Sequence, residues 1–289
     1  MHDNVRPEGR RRVFGHPDFI PTVEAAFPRF FEVSPHVLTA MHSVADREYA
    51  APEPYQRAIL NLSMLAGVSL VEVTVLTVNG LGHGAMRILR SLLETAINVE
   101  YFRLHPDTFE DYQEWIHVER QREFEFVRKH APEMHAELGE ETIEQARKHM
   151  ARVRPRFLAR DRNGKSRGLR SGWSSLNLDQ RAVETGFVES YQLINPLASS
   201  FIHETMYGMV RHFNASRDPH RVEVPPTLDW SKEALSGGHH CMIRVVRTLG
   251  QTFGVEPEPD VATLEHEFHY AWDAPSASSE TRTTAVDIE

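Results

Sequence analysis

A single cysteine, Cys241, in 289 residues rules out an internal disulfide and every zinc motif that needs several thiolates. Lysine is almost as scarce. Of the 32 basic residues, 28 are arginine, which favours forked contacts to phosphate or carboxylate over diffuse attraction. The stretch from Met1 to Arg12 is polar and no apolar leader follows it. The nearest approach to a membrane span, Leu62 to Leu81, carries Glu72 and Asn79 and lacks a flanking basic pair. It reads as a buried helix, so no membrane partner is expected. There is no Walker loop, no dinucleotide fingerprint and no nucleophile elbow, so P-loop, dinucleotide and triad chemistry have no support. These absences fit a reducing cytoplasm best.

What is present is ordinary for a globular chain, with 40% hydrophobic and 25% charged residues. A net charge of −9 argues against nonspecific coating of nucleic acid by the whole surface. The charge is unevenly placed, however. From Arg147 to Arg170 ten basic residues face one acid, Asp161, which suggests an RNA or nucleotide partner. The alternative is pairing with the acidic stretch directly before it, Glu133, Glu137, Glu140, Glu141 and Glu144.

Punctuation by proline and glycine divides the chain. Residues 1–30 read as an irregular arm with a short helix at Thr22 to Ala26, 31–273 as one helical domain, and 274–289 as a disordered tail. Helices are expected from Ser34 to Ala50, Tyr55 to Asn79, Gly84 to Leu104, Thr108 to Lys129 and Glu133 to Met150. A basic loop, Arg160 to Gly172, follows. Asp179 to Ile194 and Asn195 to Phe213 read as two helices, the second with Asn195-Pro196 as its N-cap and N1 pair, or as one helix kinked at Pro196, and Trp230 to Phe253 reads as a helix interrupted or bent near Gly237-Gly238. The expected fold class is all-α: a single helical-bundle domain with peripheral helices and a basic loop.

The most informative helix is the fourth. At 100° per residue His83, Arg87, Arg90, Glu94, Asn98 and Tyr101 fall within roughly 80° of one face. The rest of that circumference is mostly apolar, as in a helix at the centre of a bundle. Burying such a seam demands partners, so these groups must pair with each other, with a neighbouring helix, or with a ligand. Two guanidinium groups beside a carboxylate would hold a phosphate or carboxylate and orient a general base; equally, Arg90 and Glu94 would satisfy each other as an i,i+4 pair. Ser199, His203 and Tyr207 share a second helix face, where Ser199 would select the His203 tautomer and a histidine titrating near neutrality suits proton transfer. A metal centre would need inward carboxylates with histidine, and its candidates are Glu72, Glu94, Glu119 and His203. Glu114 to His117 is the one forward Glu-x-x-His match, and no His-Glu-x-x-His site occurs.

The run Met86 to Glu94, then Trp173-Ser-Ser-Leu-Asn, Arg181-Ala182, Tyr191, Ser199 and His203, resembles an uncharacterised bacterial family of helical proteins classed as a domain of unknown function. That resemblance implies an all-helical fold, with seam residues Arg90, Glu94, Trp173, Ser199 and His203. The outline also resembles the HEPN helical bundles, which implies metal-independent RNA cleavage or nucleotide binding. Those enzymes carry an arginine four to six residues from the histidine, and none stands so near His203.

The leading expectation is therefore a phosphate-directed activity, RNA cleavage or nucleotide binding. Arg87 and Arg90 would hold phosphate, His203 would act as acid or base, Glu94 would orient Arg90 or His203, and Asn98, Ser199, Tyr207 and Trp173 would complete the ligand site. No organic cofactor is expected. A carboxylate/histidine metalloenzyme acting on a small organic substrate, a noncatalytic binding protein and a homo-oligomer are the remaining readings.

Overall fold

The fourth helix lies where its composition places it. In a computed structural model that describes residues 19–160, 165–202 and 226–273, α4 (Gly82–Leu104) buries Ala85, Met86, Leu89, Leu92, Leu93, Ala96, Ile97, Val99 and Phe102 almost completely. Each buried leucine or isoleucine contributes roughly 1.5–3 kcal/mol of transfer free energy, so this helix alone supplies a large share of the core. Its neighbours are α3 (Pro54–Val78) and α10 (Ser231–Phe253) on one side, and α8 (Leu178–Glu184) and α9 (Val188–Ile202) on the other. Close approach has a local cause at two glycines. A Cβ on Gly82 would stand 2.0 Å from the Asp229 carbonyl oxygen, and one on Gly237 would stand 2.8 Å from a Leu89 methyl. Glycine at 237 therefore lets α10 approach α4. The interruption expected there does not occur, and α10 runs unbroken.

Around this centre α2 (Pro28–Ala45) packs on α10, and α11 (Val261–Trp272) closes over α2. Helix α11 was not expected from the sequence; Asp260 caps it by accepting from the Thr263 amide at 2.7 Å. The short helix within the N-terminal arm is α1 (Ile20–Ala26), but α2 begins at Pro28, six residues before the expected Ser34. On the far side α5 (Phe109–His130) carries α6 (Pro132–Glu137) and α7 (Glu140–Val153), which Gly139 separates where one helix was expected. The basic loop contains a small antiparallel pair, β1 (Leu158–Arg160) with β2 (Ser166–Leu169). The all-α class holds, with this pair as its one described sheet.

Two other expectations change. Helix α9 passes through Asn195-Pro196 without ending, so Asn195 is no cap and its side chain is available to α4. Helix α3 is long and apolar enough to cross a bilayer by length and composition, yet Ile59, Ala66, Leu70 and Val73 are core. It is not buried all round. Leu65, Val68, Val71 and Val75 stay about half exposed on its outer face.

His239 of α10 illustrates how the core treats a titratable group. It is fully buried against Phe30 and Phe268, and its Nδ1 accepts from the Trp272 indole at 3.4 Å, while Nε2 has no hydrogen-bond partner among the described residues. Burial, reinforced by the adjacent His240, holds its pKa down to about 4. Unfolded histidine titrates near 6.5, so the unfolded chain takes up a proton first. The stability this residue contributes is complete above pH 6.5 and is lost as pH falls towards 4, by on the order of 3 kcal/mol. Urea midpoints should therefore fall between pH 7 and pH 4.5, with a shallower fall in His239→Leu. An identical slope in that variant would place the pH sensitivity elsewhere.

Candidate functional site

The seam of α4 finds its partners one by one along the helix. At its start the His83 ring stands edge-on to Phe201, 4.8 Å between centroids, and near Trp230. Two turns on, the half-buried Arg90 donates from Nε to Asn195 Oδ1 at 3.1 Å and to Ser199 Oγ at 3.2 Å, both on α9. Asn98 accepts from the guanidinium of Arg181 on α8. Tyr101 is hydrogen bonded to Ser174, meets the Trp173 ring edge-on and lies tilted against His105. Burial raises its pKa above the ordinary phenol value.

Arg181 is the most demanding of these groups. It is 6% exposed, lies 4.8 Å above the Trp173 ring, and its Nε has no hydrogen-bond partner among the described residues. Desolvation pulls its pKa down, opposed by the nearby charges of Glu94 and Tyr101. The sequence reading picked up Trp173 but not Arg181 as a site residue. The missed signal was a second one: an arginine on the α8 turn, in a segment where asparagine and glutamine form a capping box.

Glu94 does not pair with Arg90. It turns instead into a cleft of about 810 Å³ between α4, α5 and the first turns of α3. Ser91, Glu94, Thr95 and Asn98 of α4 and Tyr112, Trp115, Ile116 and Glu119 of α5 line it, together with the exposed Arg57 and Asn61 and the buried Trp173 and Phe109. Glu119 accepts from the Trp115 indole at 3.0 Å. Burial, then the charges of Glu119 and Glu94, push the Tyr112 pKa up, consistent with both carboxylates facing that ring.

The expected site is thus brought together in part. Arg90 meets Ser199, and Glu94, Asn98 and Trp173 share the cleft, but Arg90 is not among its lining residues. Arg87 is exposed on the α4 face that leads to Ser91. His203 and Tyr207 lie outside the described residues. Among the metal candidates Glu94 and Glu119 converge, whereas Glu72 is exposed on the outer face of α3, away from the cleft lining. Among the described residues no group of three or more His, Cys, Asp or Glu side chains is placed to hold a metal ion.

The basic segment is engaged mainly by α5. Arg152 pairs with Glu114 at 2.5 Å, Arg156 with Glu110 at 2.9 Å and with Asp111, and Arg170 with Asp111 at 3.5 Å. From the acidic stretch before it, Glu144 lies 3.9 Å from Arg147 and 4.0 Å from Lys148. Arg170 also covers the Phe157 ring at 5.1 Å, and Arg122 covers Trp115 at 5.0 Å. These contacts clamp the hairpin onto the back of the cleft wall.

Removing an acceptor from a buried guanidinium leaves a charge uncompensated. Asn98→Leu should lower the unfolding free energy by about 2–4 kcal/mol, and adding Arg181→Met should recover part of that loss. Urea titration of the two variants checks this; a double variant weaker than Asn98→Leu would show that Arg181 has other essential partners.

No curated protein and no solved structure matches the chain. A family model matches residues 56–220, the span from the start of α3 past the end of α9, which includes the α4 seam, the cleft and the basic hairpin. By that match the chain belongs to DUF5677, a family of unknown function.

Proposed function

We propose that this protein binds a nucleotide or a related phosphate-bearing ligand at the α4 face. The observation that carries the reading is the cleft itself: aromatic walls, two asparagine amides and two carboxylates, on the same helix face as Arg87. A planar base suits Tyr112, Trp115 and Trp173, because stacking and edge hydrogen bonds serve it together. Asn61 and Asn98 offer both donor and acceptor, and Glu94 and Glu119 accept from exocyclic amino groups. Arg87 lies one turn before Ser91, about 6 Å along the helix, a position suited to phosphate. Arg90 adds to that field: its partners among the described residues, Asn195 and Ser199, are neutral and leave its charge intact.

The catalytic form of this reading is RNA cleavage with His203 as acid or base, the basic hairpin adding salt-sensitive affinity. A second reading rests on Glu94 and Glu119 facing one cleft: two carboxylates suit a divalent cation, as in a carboxylate metalloenzyme acting on a small organic substrate. Without turnover, the same cleft serves a binding protein.

Calorimetric titration with nucleoside, nucleoside triphosphate and inorganic phosphate separates these readings. The triphosphate should bind, and Arg87→Gln should weaken it by roughly tenfold, about 1.4 kcal/mol, while leaving nucleoside affinity unchanged. No heat with any nucleotide, alongside stoichiometric metal in the purified protein by elemental mass spectrometry, would replace the first reading by the second. If RNA is cleaved, His203→Ala should abolish turnover with the fold intact.

A further inference from the structure

The outer face of α3 carries an unpartnered stripe. At 100° per residue Arg57, Asn61, Leu65, Val68, Glu72 and Val75 fall within about 80° of one another, with Met64 and Val71 on the flank. Leu65 is 59% exposed, Val68 55%, Val71 47% and Val75 52%, whereas the opposite face of the same helix is core. An apolar surface of that length on one element marks an interaction site.

The arrangement of charge on the stripe selects the occupant. Arg57 stands towards one end and Glu72 towards the other, 15 positions apart, and neither side chain has an ion-pair or hydrogen-bond partner among the described residues. The midpoint between them falls at Met64 and Leu65. From this symmetry the geometry points to a second copy of the same chain, docked antiparallel across a two-fold axis at Met64/Leu65. Each Arg57 then faces Glu72 of the other copy, Val71 faces Ala58, Val75 faces Pro54, and Leu65 packs against Met64; the one mixed pair is Val68 with Asn61. Such a contact is isologous and closes on itself. Parallel pairing would set Glu72 against Glu72 and Arg57 against Arg57, which like-charge repulsion disfavours. A guanidinium and a carboxylate on the stripe likewise oppose its burial in lipid.

Pairing in this register has a consequence for the cleft. Arg57 and Asn61 belong to the stripe and also line the cleft, together with the adjacent Pro54 and Ala58. The second copy's α3 therefore walls the open side of the cleft, with its Glu72 at the Arg57 end. The dimer inference stands whether or not a nucleotide occupies that space.

Light scattering coupled to size exclusion, on the full chain at low and high micromolar concentration, tests the pairing. Twice the chain mass is expected. Val68→Asp should give a monomer with an unchanged circular dichroism spectrum, since that side chain is exposed and outside the core. Arg57→Glu alone should weaken the dimer at least tenfold, and Arg57→Glu combined with Glu72→Arg should restore it. A monomer at every concentration, or a double variant no tighter than the single one, overturns the pairing. So does a monomer that co-sediments with vesicles of anionic phospholipid and loses that binding in Val68→Asp.

Discussion

A helix that is buried on nearly every side yet carries six polar groups along one seam constrains everything packed against it. All of those groups but the exposed Arg87 lose water on folding, and a buried group without a partner costs more than a typical hydrogen bond returns. Helices α8 and α9 are placed accordingly. Arg90 is answered by Asn195 and Ser199, Asn98 by Arg181, and Tyr101 by Ser174. On the opposite edge Glu100 receives Arg103 at 2.7 Å and the Thr248 hydroxyl at 2.6 Å, joining α4 to α10. Apolar packing alone would permit α9 to slide along α4; these bonds specify one register.

The cleft is the remainder of the same arrangement. Where α8 and α9 leave off, Glu94 turns towards α5, whose Tyr112, Trp115 and Glu119 form the facing wall. That wall is stiffened from behind, because Arg152, Arg156 and Arg170 tie the hairpin region to Glu114, Glu110 and Asp111. Exposed ion pairs of this kind are individually worth little, about 0–1 kcal/mol each, but three arginines converging on one turn of α5 hold it as a network. A charge-dense segment that reads as a ligand surface in one dimension thus spends much of its charge on its own neighbour.

Much of this was legible in the sequence. The central role of α4, its seam and the all-α class follow from helical periodicity, which acts over a few turns and is written locally. The split of the seam was not legible. Arg90 and Glu94 look like an i,i+4 pair, and only the positions of Asn195 and Tyr112 show that they point to different neighbours. Gly237 reads as a bend because glycine lowers helix propensity, whereas Leu89 lies against it and makes glycine a spacer instead. Likewise α3 reads as wholly buried, since composition cannot distinguish an apolar face that meets α4 from one that meets solvent.

By itself, then, the sequence determined the helical class and most of its helices, which helix is central, and which polar side chains require partners, because propensity and periodicity depend on nearest turns. The tertiary structure decided the identity of those partners: Arg181 for Asn98, α5 acids for the hairpin arginines, a shared cleft for Glu94 and Glu119. Those choices depend on contacts between residues dozens to more than a hundred positions apart, such as Arg90 with Ser199. Their distances are set by how whole helices pack, not by the order of the chain.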